Sequence, residues 1–193
     1  MPEEELNFAI KIQNCVATAN LFTTIDLVPL FQRLLDNADY VVNYNPDRFP
    51  GMILKITDPK ISSLVFSSGK IVITGAKSDA MVHVGLKKLV KILKANGTTI
   101  TEEPEVAIQN IVASGNFNKR TINLELAAMW LDQSMYEPEQ FPGLIYRLDV
   151  PKTVLLLFQS GNIVCTGAKN EEQVHEAFKA AYANVDEIEA FDT

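Results

Sequence analysis

The chain contains nearly the same dozen residues twice: "FSSGKIVITGAK" runs from Phe66 to Lys77, and "FQSGNIVCTGAK" runs from Phe158 to Lys169. Between Pro59 and Lys77 the second copy is identical at 12 of 19 positions. The match extends in both directions. "YNPDRFPGMILKITDPK" (Tyr44 to Lys60) pairs with "YEPEQFPGLIYRLDVPK" (Tyr136 to Lys152) at an offset of 92, and "IQNCVATANL" (Ile12 to Leu21) pairs with "IQNIVASGNF" (Ile108 to Phe117) at an offset of 96. The first copy therefore carries four extra residues between these blocks, placed near "NADYVVNYN". Units of about 90 residues exceed the usual solenoid periods, so the chain reads as a duplicated half-domain with pseudo-two-fold symmetry.

Each half runs in one order. "IQNCVATA" and "IQNIVASG" have a strand period. A helix follows, from Thr24 into "IDLVPLFQRLL" in the first half and over "TINLELAAMWLDQS" in the second, where Leu124, Ala127, Ala128 and Leu131 recur at helical spacing. Three short runs rich in branched residues, "FPGMILKI", "SSLVFSS" and "GKIVITGAK", are separated by turn signals and read as hairpins. Ser78-Asp79 and Asn170-Glu171 then cap a second amphipathic helix. The fold class is α+β with a mainly antiparallel sheet. The expected division is 1–11 as an acidic N-terminal segment, 12–98 as the first repeat, 99–107 as a linker, 108–185 as the second repeat and 186–193 as an acidic C-terminal tail.

The strands are apolar on both sides. Successive side chains alternate, so Ile71 and Ile73 point one way and Val72 and Thr74 the other. Ile163 and Cys165 stand likewise opposite Val164 and Thr166. In the first strand Cys15 and Ala17 oppose Asn14, Val16 and Thr18, while Leu64 shares a face with Phe66, and Leu156 with Phe158. Two helices per half cover one side of a sheet only. The other side needs a partner, and a large apolar patch marks an interaction surface. The sequence pattern alone leaves two readings open: an interaction surface, or a second layer made by dimerisation or by the two halves packing on each other.

Composition narrows the function classes. With 193 residues, 47% apolar, the chain can bury a substantial core. Its two cysteines, Cys15 and Cys165, sit in apolar runs and read as buried thiols in a reducing compartment. The sequence shows neither an export signal nor a membrane span. Charge argues against nucleic acid at first sight: 24 acidic against 17 basic side chains give a net charge of −7. No catalytic constellation emerges. "SSGK" and "TGAK" lack the glycine spacing of a phosphate loop. His83 and His175 fall at equivalent helix positions without the further ligands of a metal site, and Trp130 reads as a core or partner contact. The chain is expected to be no enzyme and to hold neither metal nor cofactor.

The motifs "FPGLIYR", "PK", "LLLF.SG.IV.TGAK" and their earlier counterparts resemble the TATA-box-binding protein family, in particular its archaeal members, from Ile12 to Val185. The resemblance implies a saddle, a curved antiparallel sheet with helices on its convex side and the minor groove of DNA on its concave side. It implies that Asn14 and Asn110 donate to base acceptors, assisted by Thr74 and Thr166, and that Val16, Val72, Val112, Val164, Leu64 and Leu156 pack in the groove. Phe49 with Phe66, and Phe141 with Phe158, match the two intercalating pairs. Arg48, Lys55, Lys60, Lys70, Lys77, Arg147, Lys152 and Lys169 would meet phosphates, which turns the charge objection into a question of local distribution. Asn162 stands where the first copy has Lys70, which implies weaker phosphate contact in the second half.

Further partners follow from the same likeness. "YEPEQF" resembles the segment that binds transcription factor B, making Glu137, Glu139 and Gln140 its candidates, with RNA polymerase recruited in turn. The implied role is a general transcription initiation factor on promoter DNA, in the cytoplasm at the nucleoid of an archaeal cell. Lys87, Lys88, Lys91 and Lys94 form a basic helical stripe that reads either as a solvated face or as a regulator surface. The competing reading is a paralogue that serves as a protein-interaction platform or promoter-specific regulator without general TATA binding. Presence of all four phenylalanines and both asparagines favours DNA. Whether free copies form a homodimer stays open.

Overall fold

A computed structural model describes residues 7–35 and 37–192. Residues 1–6 of the expected acidic N-terminal segment lie outside the described residues. The order is β1 (Lys11–Asn20), α1 (Leu27–Leu34), β2 (Tyr40–Asn43), β3 (Met52–Ile56), β4 (Ile61–Val65), β5 (Lys70–Ala76) and α2 (Asp79–Ala95). It then repeats as β6 (Glu105–Asn116), α3 (Leu124–Trp130), β7 (Ser134–Met135), β8 (Leu144–Leu148), β9 (Thr153–Leu157), β10 (Asn162–Ala168) and α4 (Glu171–Glu187). The chain forms two compact units, one of residues 14–109 and one of residues 110–193 together with the segment up to Gln13. In the first, antiparallel neighbours run β2-β3-β4-β5-β1; in the second, β6-β10-β9-β8-β7. The fold is thus α+β, antiparallel and duplicated.

Alternation decides what each sheet buries. Cys15, Ala17 and Ala19 of β1, Met52, Leu54 and Ile56 of β3, and Ile71 and Ile73 of β5 are buried. They meet Val82, Leu86, Leu89 and Leu93, the apolar stripe of α2. Gly85 lets that helix approach, since a Cβ there would sit 2.4 Å from Ile61 Cδ1. The second half repeats the scheme with Ile111, Ala113, Leu155, Leu157, Ile163 and Cys165 under Val174, Ala177, Phe178, Ala181 and Val185 of α4. Burial pushes the Cys165 thiol up to about 11, so it is a neutral packing group.

Caps fix the helix starts. Ser78 Oγ accepts from Met81 N at 3.1 Å and Asn170 Oδ1 from Gln173 N at 2.8 Å. The first helix of each half is shorter than its pattern: α1 begins at Leu27 rather than near Thr24, and α3 begins after Asn123, whose Oδ1 accepts from Leu126 N at 2.9 Å. The excess of the first half falls in α1, β2 and the chain joining them, because the β2–β3 and β7–β8 connections both span eight residues, 44–51 and 136–143.

Two terminal segments belong to the second unit's core. Phe8, at 4% exposure, packs its ring 5.6 Å from Phe117, 6.0 Å from Phe178 and 5.6 Å from Tyr182, and its carbonyl accepts from Asn116 N at 2.8 Å. At the other end, Ala190 and Phe191 are buried, and Arg120 lies 3.9 Å over the Phe191 ring while its Nη1 donates to Asp186 at 2.8 Å. The segment 186–193, expected as an acidic tail, is therefore partly core, because its two apolar residues close over the aromatic cluster. Among the described residues no helix is long and apolar enough to cross a membrane. Removing the Phe8 ring opens an aromatic-sized void, so Phe8→Ala is expected to lower the unfolding free energy by about 3 kcal/mol in urea titration.

Candidate nucleic-acid interface

The helices leave one face of each sheet open, and cross-strand register orders its side chains into rows. In the first half Ile53 stands beside Leu64, Leu64 beside Val72, and Val72 beside Thr18. A second row runs Lys55, Ser62, Thr74 and reaches Asn14 through a hydrogen bond. The second half repeats both: Ile145, Leu156, Val164, Ser114, and then Arg147, Val154, Thr166, Asn110. Apart from Lys55 and Arg147, which are exposed, every residue of these rows is half-buried, as are Val16 and Val112 on the same faces. The motif-based set therefore falls together within each half. It omitted Ile53 and Ser62, their counterparts Ile145 and Val154, and Ser114, the counterpart of Thr18, which alternation had placed on this face. Their signal was the same period-two alternation, hidden because register across strands is not written in one strand alone.

Asn14 and Asn110 are held alike. Asn14 Oδ1 accepts from Gly75 N at 2.7 Å and from the Thr74 hydroxyl at 3.3 Å. Asn110 Oδ1 accepts from Gly167 N at 2.7 Å and from the Thr166 hydroxyl at 3.3 Å, and Asn110 Nδ2 additionally lies 3.2 Å from Thr166 Oγ1. Each face thus presents one polar cluster within an apolar field.

At the strand ends the phenylalanines pair. Phe49 and Phe66 have ring centroids 5.9 Å apart at 65°, and Phe141 and Phe158 are 5.9 Å apart at 67°, both edge-to-face. Phe49 is 42% exposed and Phe141 36%, unusually open for such large apolar rings. The pairs need glycine beside them: a Cβ on Gly51 would lie 2.7 Å from Phe49 Cε1, and one on Gly143 2.7 Å from Phe141 Cε1. Beside the first pair an open cleft of about 700 Å³ is lined by Pro50, Phe66, Ser68, Lys70 and Val72, with Glu105 as its acidic wall.

Cations border these faces. Lys55 and Arg147 project from β3 and β8, Lys60 and Lys152 from the following turns, and Lys77 and Lys169 from the links into α2 and α4; all are exposed. Arg48 precedes Phe49 in the 44–51 connection, and Lys70 opens β5 opposite Asn20. At the place of Lys70, Asn162 is engaged with its neighbour, its Oδ1 accepting from Asn116 Nδ2 at 2.7 Å. Glu137, Glu139 and Gln140 are exposed in the 136–143 connection, where Gln140 N and Phe141 N both donate to the Glu137 carbonyl at 2.9 Å.

Other candidates lie elsewhere. His83 Nε2 is 3.6 Å from Asp79 on the exposed side of α2, and His175 is exposed on α4. Among the described residues no three His, Cys, Asp or Glu converge to hold a metal. Trp130, expected in a core or partner contact, is 66% exposed beside Met129 at the end of α3, which excludes the core and leaves the partner contact.

Comparison with known proteins agrees with this layout. The family described as "Transcription factor TFIID (or TATA-binding protein, TBP)" matches residues 9–96 and 105–188, one segment per repeat. The TATA-box-binding protein of Pyrobaculum aerophilum is 49% identical over 178 residues, covering 92% of this chain and 86% of that protein. That of Sulfolobus acidocaldarius is 48% identical over 180 residues, covering 93% and 88%. Among solved structures, the Methanococcus jannaschii TBP superposes with a TM-score of 0.83 at 41% identity, over 92% of this chain and 98% of that one. With both repeats matched along their length, this chain belongs to the archaeal branch of the TATA-box-binding protein family, a family of transcription factors and not of enzymes.

Proposed function

We propose that the chain is a general initiation factor that binds the minor groove of an A·T-rich promoter box, bends the DNA by inserting its phenylalanine pairs, and recruits transcription factor B and RNA polymerase. The observation that carries this reading is the repeated composition of the open face: one asparagine–threonine cluster, an apolar field around it, and an exposed phenylalanine pair at the edge.

The chemistry of the minor groove suits such a surface. A·T pairs present only adenine N3 and thymine O2 acceptors there, and G·C pairs add the guanine amino donor. Valine and leucine cannot accept a hydrogen bond, so a guanine amino group pressed against Val16, Val72 or Leu64 would be desolvated without a partner. Asn14 and Asn110 supply donors for the acceptors that A·T pairs offer. Phe66 and Phe158 enter base steps as wedges, with Phe49 and Phe141 behind them. Apolar burial of the rings offsets the unstacking cost, which is lowest at flexible pyrimidine–purine steps.

Electrostatics acts locally. A net charge of −7 describes the whole molecule, whereas phosphates would meet Arg48, Lys55, Lys60, Lys70 and Lys77 in one half and Arg147, Lys152 and Lys169 in the other. The exposed Glu137, Glu139 and Gln140 lie beside Phe141 and suit a basic surface of transcription factor B.

Three outcomes follow. Fluorescence-detected bending of a doubly end-labelled duplex is expected for an A·T-rich box and not for its G·C-substituted control, and Phe66→Ala/Phe158→Ala should abolish it; equal behaviour of the two duplexes with wild type would refute the reading in favour of a protein platform. In a salt titration, Lys70→Ala should reduce the slope of log K against log salt by about one and Asn162→Lys should steepen it by about one, as each removes or adds a phosphate contact. Glu137→Lys/Glu139→Lys should leave binary DNA affinity within about twofold while weakening the ternary complex with transcription factor B in gel shifts by roughly tenfold, the loss appropriate to buried interfacial charges.

A further inference from the structure

We propose that the backbone N–H groups of Gly75 and Gly167 lock the two asparagine amides in one orientation, and that this lock makes each asparagine discriminate A·T from G·C. The inference rests on the minor-groove reading above and deepens it.

An asparagine amide is nearly symmetric in shape and opposite in chemistry at its two ends, an acceptor oxygen and a donor NH2. Rotated by half a turn, it would offer oxygen instead of NH2 to the same neighbour. An unrestrained asparagine in the groove could therefore satisfy either the acceptors of an A·T pair or the amino group of guanine, and would select neither.

The fold removes that freedom. Thr74 and Gly75 both stand opposite the single residue Val16, because the β1–β5 register slips between Cys15 and Ala17. Thr166 and Gly167 stand in the same way opposite Val112, where the β10–β6 register slips between Cys165 and Ala168. At each bulge the glycine N–H leaves the ladder and donates to the asparagine Oδ1 at 2.7 Å. A backbone N–H can only donate, so the flipped amide would set donor against donor and leave both unsatisfied. The oxygen is committed inside the protein and Nδ2 is turned the other way; in Asn110 it also lies 3.2 Å from Thr166 Oγ1, and the second of its two hydrogens is the one available to the groove. The Thr74 and Thr166 hydroxyls also reach Oδ1 at 3.3 Å, but a hydroxyl can donate or accept, as Thr166 Oγ1 does toward Asn110 Nδ2 at 3.2 Å, so the glycine N–H is the group that sets the orientation.

Backbone conformation explains the residue type. Gly75 has φ +92° and Gly167 φ +98°, in the left-handed region that side chains with a Cβ avoid. Crowding is not the reason, since a Cβ at either position would meet nothing closer than 3.4 Å. Both halves carry the same bulge and the same contact, so the device occurs twice.

Asn14→Asp tests it, because aspartate keeps an oxygen for Gly75 N–H and turns a second oxygen outward in place of NH2. Wild type and variant are compared by competition against a series of boxes with a G·C pair stepped through each position. For wild type the G·C penalty should peak at one position per half, on the order of tenfold. Asn14→Asp should flatten or invert one of those peaks and leave the other, read by Asn110, as an internal control; Asn110→Asp should do the converse. The lock itself is read without DNA by amide hydrogen exchange in 15N spectra: Gly75 should exchange faster in Asn14→Ala and stay protected in Asn14→Asp. An unchanged penalty profile in Asn14→Asp, or Gly75 exchange indifferent to Asn14→Ala, would overturn the inference. If wild type shows no preference for A·T at any position, the minor-groove reading fails and the discrimination falls with it, while the exchange data still decide whether the amide is locked.

Discussion

Two helices can lie on only one side of an antiparallel sheet, and each half of this chain has two helices and one sheet. Everything else in the molecule answers to that shortage. The covered side behaves as an ordinary core, with Leu89 and Leu93 against Ile71 and Ile73 in one half and Phe178 and Ala181 against Ile163 and Cys165 in the other. The uncovered side stays apolar although no part of its own half buries it. Val16, Leu64 and Val72 gain only cross-strand contact there, and Phe49 only its pairing with Phe66, while each keeps apolar surface open to water. The proposed function accounts for such a surface, since a shallow groove lined by sugars, base edges and a few acceptors would match its mixture of smooth hydrocarbon and sparse donors.

The two halves repeat the asparagine, threonine and phenylalanine contacts of the open face and differ in the core behind them. Asn14 and Asn110, Thr74 and Thr166, Phe66 and Phe158 repeat with the same contacts and nearly the same ring geometry. Behind them the cores have drifted apart. Leu86 and Val90 of α2 correspond to Phe178 and Tyr182 of α4, and only the second unit draws in Phe8 and Phe191 to complete an aromatic cluster. Packing tolerates such exchange so long as volume is filled, whereas a hydrogen-bond cluster with a bulge behind it has few equivalent solutions.

Much of this was legible in the residues. Repeat offsets gave the duplication, alternation in "GKIVITGAK" gave the open face, and Ser78 and Asn170 gave the caps of α2 and α4. What escaped shares a physical cause. Ile53 and Ser62 join the open face through register between strands, which depends on turns and bulges distant in sequence. The role of Gly75 was hidden, since a positive φ and a bulge leave no mark beyond the glycine itself. Phe8 and Phe191 were hidden in segments whose acidic composition suggested solvent, because composition averages over the two apolar residues that pack. For Trp130 the residue type allowed a core or a partner contact, and its exposure removes the first and leaves the second.

The connections 44–51 and 136–143 are equal in length and turn in the same way, with Arg48 N and Phe49 N closing on the Asn45 carbonyl as Gln140 N and Phe141 N close on that of Glu137. Their exposed side chains differ: Asn45, Asp47 and Arg48 in one, Glu137, Glu139 and Gln140 in the other. On the proposed function, connections of matched backbone and unlike charge would let a third molecule tell one repeat from the other by electrostatics, in addition to the differences of core packing and chain length between the halves.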